Sequence, residues 1–448
     1  MTPTAGLALY WGLPFALLLL SIAVVPLVAA DFWHAHYGKV SAFFALAFIV
    51  PFTATFGTHA SLHHVAHALV QEYVPFVVIL FSLFTIAGGI CVRGNLVGTP
   101  GLNTGLLALG ALLASAMGTT GASMLLIRPL LTANENRVHR AHVVVFFILL
   151  VGNVGGALSP LGDPPLFIGF LKGVDFFWTT RELALPTALL VGALLAIFWL
   201  VDRRLAAREP SPPARTAGGL DLRLEGRVNL LLITGVIGAV LVSGLWDPHV
   251  TFEIAGAKVE LQNLVRDALL VGLALLSLAL TPKAVREHNQ FHWAPIVEVA
   301  KLFAGIFLTI IPVIEILAEG RRGALGGVIE FVVDPNGMPR NVMVFWTTGL
   351  LSAFLDNAPT YLVFFNLAGG NPAALMDPLK GTLIALSMGA VYFGALTYVG
   401  NAPNFMIKAI AEDRGVAMPS FFAYLGWAAL VMLPLMAAIS LLMFGMGR

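Results

Sequence analysis

The stretch GNVGGALSPLGDPP, residues 152–165, cannot be one continuous helix. Pro160, Pro164 and Pro165 lack the amide that a helix interior needs. Gly155, Gly156 and Gly162 free the backbone to turn. Yet the stretch lies inside an apolar run, 141–171, long enough to cross a bilayer. An unwound segment at membrane depth exposes carbonyls and half-helix ends, which must find polar partners or line a cavity. Asp163 sits in that segment. A carboxylate there is costly unless it is paired, neutralised or hydrated. A local reading makes Asp163 the cap of the half-helix starting at Pro164, and capping is compatible with ion binding.

The whole chain supports a membrane setting. Its 448 residues are 58% hydrophobic and 11% charged, with a net charge of +1 and a mean hydropathy of +0.89. A soluble domain carries about 25% charged residues, so this chain cannot cover a water-facing surface of its size. The near-zero charge and the lack of a basic stripe exclude a nucleic-acid partner. The single Cys91 excludes an intrachain disulfide and argues against a Cys-based metal site. What remains is a polytopic membrane protein with the bilayer as its partner. The first apolar run, Leu7 to Ala30, lacks the basic n-region of a signal peptide and is long enough to span, so it reads as the first helix.

Further spans are expected near 38–57, 73–91, 141–171, 183–202, 227–246, 265–282, 298–318, 379–411 and 421–446. Two other apolar stretches, 102–134 and 338–370, are interrupted at their centres by small and polar residues. They read as re-entrant helical hairpins. The segment 203–226, rich in Pro and Arg, reads as a linker, cytoplasmic by the positive-inside rule. Threading from that anchor puts the loop 58–72 outside and Arg93, Arg137, Arg140, Lys283, Arg286, Lys408 and Arg414 inside. Arg321 and Arg322 are exceptions. The expected fold is therefore an all-α membrane protein in the cell (inner) membrane, with two inverted repeats, 1–202 and 227–448. Each holds five transmembrane helices plus one re-entrant hairpin.

The sequence carries its own trace of that duplication. SAMGTTGAS begins at Ser115 and SAFLDNAPT at Ser352, 237 residues later; SPLGDPP begins at Ser159 and TYVGNAP at Thr397, 238 residues later. Two motif pairs with nearly the same offset, and broken helices in matching places, are the signature of secondary transporters.

The second candidate site is the tip of the second hairpin, where Asp356 and Asn357 precede Pro359, with Thr360 following. Helix capping is again the local alternative for Asp356. The tip of the first hairpin offers Thr119 and Thr120 but no acid. The partner broken helix offers Thr397, Gly400, Asn401 and Asn404. This inventory is two carboxylates, amides, hydroxyls and freed carbonyls, with no cation at the tips. Oxygen ligands with net negative charge suit a small hard cation such as Na⁺, or a proton.

Other polar residues are secondary candidates. Glu315 lies late in a span without an obvious partner and stays a possible site residue. Arg128 is expected to pair with Glu135, and Glu72 to lie at the membrane interface. His63 and His67 have the i,i+4 spacing of zinc ligands, with His59 and His64 beside them. The run HHVAH lacks an HExxH motif and falls in the expected outer loop 58–72, where solvation accounts for it. Residues 282–293 read as an interfacial helix. The chain has no GxxxxGK[ST] phosphate loop, so ATP drive would need a separate subunit.

NVGGALSPLGDPP at 153–165 and SAFLDNAP at 352–359 resemble the ion-transporter superfamily. That group includes NhaD-type sodium/proton antiporters, arsenite permeases and citrate or dicarboxylate carriers. NhaD-type antiporters carry a similar S-P-x-G-D segment and a similar S-A-x-x-D-N-x-P tip. Asp356 leans toward them, since arsenite permeases tend to have Asn there. The Gly-Thr-Thr and Asp-Asn-Ala tips differ from the Ser-Asn-Thr tips of dicarboxylate carriers. Pro164-Pro165-Leu166 departs from the hydroxyl-rich residues expected after the Asp in typical antiporters. A closely similar group is described as putative citrate transporters. The resemblance implies an elevator-type carrier, whose hairpins and broken helices slide against a scaffold that dimerises.

The expected function is therefore secondary antiport of Na⁺ (or Li⁺) against protons. Asp163 and Asp356 would bind the ions in competition, helped by Asn153, Ser159, Asn357, Thr397 and Asn401. No cofactor is expected beyond the transported ions. Citrate or carboxylate symport coupled to Na⁺ or H⁺ is the alternative. An intramembrane aspartyl protease, the enzymatic rival, expects G-x-G-D where Pro160-Leu161-Gly162-Asp163 stands, and Tyr before an Asp where Leu355 precedes Asp356.

Overall fold

The computed structural model describes residues 7–210, 223–254, 256–320, 323–334 and 338–445. Among them, ten helices are long and apolar enough to cross a membrane. The first part of the chain holds α1 (Leu13–Val28), α2 (Ala30–Phe56), α3 (Thr58–His67), α4 (Val74–Ala87), α5 (Pro100–Met117), α6 (Thr119–Ala133), α7 (Ala141–Leu150), α8 (Pro164–Leu171) and α9 (Trp178–Ala206). The second holds α10 (Val228–Leu245), α11 (Leu261–Leu280), α12 (Lys283–His288), α13 (Ala294–Thr309), α14 (Ile311–Ala318), α15 (Gly326–Val332) and α16 (Asn341–Leu355). It continues with α17 (Asn357–Leu367), α18 (Pro372–Met376), α19 (Lys380–Phe393), α20 (Ala402–Asp413) and α21 (Phe421–Phe444). Two antiparallel pairs complete it: β1 (Cys91–Arg93) with β2 (Arg223–Glu225), and β3 (Thr251–Ile254) with β4 (Ala257–Glu260).

Proline sets several helix starts. Pro100 and Pro164 open α5 and α8, where the missing amide has no intrahelical partner to lose. The Thr99 hydroxyl also caps α5 by accepting from the Leu102 amide at 3.3 Å. The two innermost helices are α7 and α19. Every residue from His142 to Leu150, and from Thr382 to Phe393, is buried. A helix that is apolar all round belongs in the centre of a bundle. After each comes a short 3₁₀ turn, Val154–Leu158 or Gly394–Leu396, then an irregular stretch, then α8 or α20. Both interruptions expected from Pro and Gly are therefore present. Both interrupted stretches at 102–134 and 338–370 are likewise helix pairs, α5–α6 and α16–α17, each packed on its partner.

A buried ionic cluster fastens the base of the first pair. Asp202, at the end of α9, accepts from Arg137, from His142 at 2.8 Å and from Asn103 at 3.0 Å. Asn103 and Asn134 exchange a further two hydrogen bonds across α5 and α6, at 2.9 and 2.8 Å. Removing one partner of such a buried ion pair typically costs about 3–5 kcal/mol.

Several expectations need correction. The outer loop expected at 58–72 is helical: α3 and a π-helical turn, Ala68–Tyr73, lead straight into α4. Its polar side chains hid the continuity. Among the described residues, no group of three or more His, Cys, Asp or Glu is placed to hold a metal. The second span starts at Ala30 rather than 38, so a polar first turn with Asp31 and His34 precedes the apolar part. Arg128 does not pair with Glu135; its guanidinium donates to Gln290 and Asn289 instead. Glu72 pairs with Lys172 at 2.6 Å. Part of the 203–226 stretch takes regular structure: α9 continues to Ala206, and 223–225 forms β2. Glu209 accepts the Val138 and His139 amides at 2.9 Å each. Against the upward pull of burial, those amides hold its carboxyl below the usual range. Residues 211–222, Arg321 and Arg322 lie outside the described residues.

Candidate functional site

Asp163 is 1% exposed and lies at the start of α8. It stands at the N-cap position, but its side chain makes no capping hydrogen bond to that helix. Its Oδ1 accepts from Asn401 Nδ2 at 3.0 Å and Thr119 Oγ1 at 3.3 Å, and its Oδ2 from Asn357 Nδ2 at 2.6 Å. The three donors come from the start of α20 and from the two turns Gly118–Thr119 and Asp356–Asn357. So both helix-pair turns and both broken helices meet at one carboxylate. All three donors are neutral, so the carboxylate is solvated without being neutralised.

The surrounding amides form a chain. Asn401 Nδ2 lies 3.2 Å from Asn153 Oδ1 and from the Gly152 carbonyl. Asn153 donates to Asn404 Oδ1 at 2.7 Å and to the Ile148 carbonyl at 2.8 Å. Asn404 in turn donates to the carbonyls of Gly394 and Thr397, each at 2.8 Å. These bonds satisfy carbonyls freed where α7 and α19 stop. Asn357 spends its amide hydrogens on Asp163, and its Oδ1 is buried with no hydrogen-bond partner among the described residues. It is an oxygen available to a cation.

Asp356 is next to Asn357 and half-buried. Both Asp163 and Asp356 line one cavity of about 450 Å³, together with Thr119, Thr120, Asn401 and Tyr398. The two acids, one from each half, thus share a pocket. The cavity follows α6 from Thr119 past Met124 to Arg128, and α20 from Ala402 to Asp413. Asp413, His34 and His292, which also line it, are exposed, whereas Asp163 is not.

Ser159 and Thr397 do other work. Ser159 donates to the Ser115 carbonyl at 2.5 Å, and Thr397 donates to the Ala353 carbonyl. Each hydroxyl also accepts an amide two residues on, from Leu161 or Val399, at 3.1 and 3.2 Å. They pin the ends of α5 and α16 to the broken helices. Every one of these atoms recurs 238 residues later, as do the ends of α5 and α16 and the starts of α6 and α17. The offset of 237 read from the first motif pair is therefore one residue short. An extra residue in the alignment lets Gly118 match Asp356 and Thr119 match Asn357.

The other candidates divide. Thr360 donates back to the Asp356 carbonyl at 2.7 Å and steadies the turn. Glu315 is elsewhere, 4.0 Å from His64 Nδ1, and does not line the cavity. Sequence reasoning missed Glu298, Gln290, His34 and His292 on the cavity wall. Glu298 was visible as an acid at the start of an apolar run; the others had no signal in one sequence.

Ten apolar spans around this interior make the chain a multi-pass membrane protein, and two interrupted helices meeting at a buried acid are the build of a secondary transporter. Its family follows from a match over residues 4–444 to the family described as "Putative citrate transport". The chain belongs to that family of membrane transporters. It is also similar to a "46 kDa membrane protein" of Mycobacterium leprae (strain TN), 24% identical over 331 residues and covering 71% of each chain.

Proposed function

We propose that the chain is a secondary antiporter that exchanges Na⁺ or Li⁺ for protons at the Asp163–Asp356 site. The observation that carries this reading is the meeting of two carboxylates from different halves in one cavity, with only neutral donors on Asp163. An oxygen-rich, net-negative site suits a small hard cation. A cation or a proton neutralises the acids, and only a neutralised site crosses the low-dielectric barrier cheaply. Competition between the two then couples their movements without ATP.

In this reading the two halves are inverted repeats, and the paired and broken helices form a unit that slides against a scaffold, which dimerises. Segment 203–226 is cytoplasmic, in the cell (inner) membrane. The Arg128–Asp413 end of the cavity then lies toward the side carrying Arg93 and Arg414, which the positive-inside rule makes the cytoplasm.

A second reading, citrate or carboxylate symport driven by Na⁺ or H⁺, has two supports. One is the family's description. The other is the cavity, which at about 450 Å³ is far roomier than a bare ion needs. Proteoliposomes separate the readings. Antiport gives proton efflux on adding Na⁺ or Li⁺ without citrate; symport gives labelled citrate uptake only with a cation gradient. A flux that ignores Na⁺, Li⁺ and citrate alike would overturn both.

A further inference from the structure

Toward the far end of the cavity lies Arg128, whose hydrogen bonds, among the described residues, go to neutral amides rather than to an acid. Arg128 lies on the wall nine residues beyond Thr119, about 14 Å along a helix axis. Its Nε and Nη2 donate to Gln290 Oε1 at 3.4 and 3.2 Å, and its Nη1 to Asn289 Oδ1 at 3.5 Å. Both acceptors are neutral amides. Guanidinium–carboxylate bonds are shorter, about 2.7–2.9 Å. On its other side Arg128 lines a smaller pocket of about 100 Å³ with Arg93, Thr132 and His288.

One acceptor is held rigidly. Asn289 is buried, and its amide donates to the carbonyls of Gly88 and Ile90 at 3.1 Å each. Gln290 follows it in the left-handed turn that ends α12, φ 47°, where the Phe291 amide bonds back to the Arg286 carbonyl at 2.9 Å. Its exposed side chain offers a second amide oxygen to the same guanidinium. The result is a half-buried guanidinium that keeps its full charge and spare N–H donors for a planar anion.

We propose that Arg128, positioned by Gln290 and Asn289, binds the carboxylate of a small organic anion at the opposite end of the cavity from Asp163. The cavity's volume lies in the range of small-molecule sites. The site is separate from the cation site and does not depend on whether the cation is exchanged or co-transported. A bound carboxylate is substrate in symport and a ligand of the open cavity in antiport.

The test is calorimetric titration of the purified full-length protein with citrate, with sulfate at equal ionic strength as control and Na⁺ titrated separately. Wild type binds citrate and not sulfate. R128Q loses at least about tenfold in citrate affinity, as expected when a charged hydrogen-bond donor is removed. R128K falls between, because a point charge replaces a planar fork. Q290A loses less than R128Q, since it loosens the guanidinium without removing it. Na⁺ binding stays unchanged in R128Q, which shows the fold intact. If R128Q loses Na⁺ binding as well, R128K decides: intact Na⁺ binding with weakened citrate binding upholds the site, and unchanged citrate binding overturns it. Absence of citrate binding to wild type, equal binding of sulfate, or R128Q binding citrate as wild type does would overturn the inference. Absence of Na⁺ binding in wild type, with citrate still lost in R128Q, would sink the cation site and leave this one standing.

Discussion

Gly118 and Asp356 stand at equivalent turns, 238 residues apart, with almost the same backbone: φ 80°, ψ 150° and φ 71°, ψ 143°. One has no side chain and the other carries a carboxylate. Forty-five positions on, the comparison inverts at the broken helices. Asp163 in the first half stands where Asn401 does in the second, and the two touch, Asn401 donating to Asp163 at 3.0 Å. Both halves keep the features that set shape: the hydroxyl pins Ser159 and Thr397, the buried helices α7 and α19, and the tight turns. They differ in where the acid sits. The shared backbone is what packing demands of either half; the acids are where the proposed exchange would place its ions. Two acids rather than four limit the charge to be neutralised, since each added carboxylate raises the cost of ionising its neighbours.

The sharpest way to break this comparison is to move the charge across it. D163N should lower cation-driven flux by about a hundredfold or more, as a charged acceptor of three hydrogen bonds is lost. N401D should also silence transport, because it sets a second carboxylate against Asp163. If the positions are equivalent, the double variant D163N/N401D restores flux to within about tenfold of wild type. A double variant no better than either single one would show that the halves are equivalent in backbone only.

Next in size is D356G, which makes the second turn match the first. A glycine removes a left-handed strain of about 1–2 kcal/mol. Thermal unfolding in detergent should therefore show equal or higher stability while cation-driven flux is lost. A clear drop in stability would show instead that Asp356 holds the turn together.

The smallest effects belong to the pins. S159A and T397V each remove a donated hydrogen bond and at least one accepted from a backbone amide, at a cost of about 1 kcal/mol per bond. Flux should fall severalfold without vanishing, and T397S should restore it. Loss as complete as in D163N would place these hydroxyls on the ion itself.

Much of this was written in the sequence. Proline and glycine in 152–165 mark the broken helix because their backbone chemistry acts locally. Asp163 and Asp356 stand out because an acid in an apolar run must be explained. The near-constant offset pointed to pairs of positions whose turns and hydroxyl bonds match. What could not be read depends on partners far away in the chain. Arg128 meets Gln290 and Asn289 about 160 positions on, not the nearby Glu135. Ser159 and Thr397 stood out in the sequence as polar residues, but that their hydroxyls donate to the backbone carbonyls of Ser115 and Ala353 could not be read, because a carbonyl has no sequence signature. The helix at 58–73 was hidden by its own polar residues, His59 to Glu72, which suggest a loop by composition.

Proton release on cation binding probes the carboxylate site most directly. Na⁺ is added to lightly buffered purified protein near neutral pH, and the protons set free are counted for wild type, D163N and D356N. Competition at shared acids requires saturable release from wild type that disappears in D163N and shrinks or disappears in D356N. Release of the same size from all three proteins would mean that the cation and the proton bind elsewhere, and the site described here would have to be abandoned.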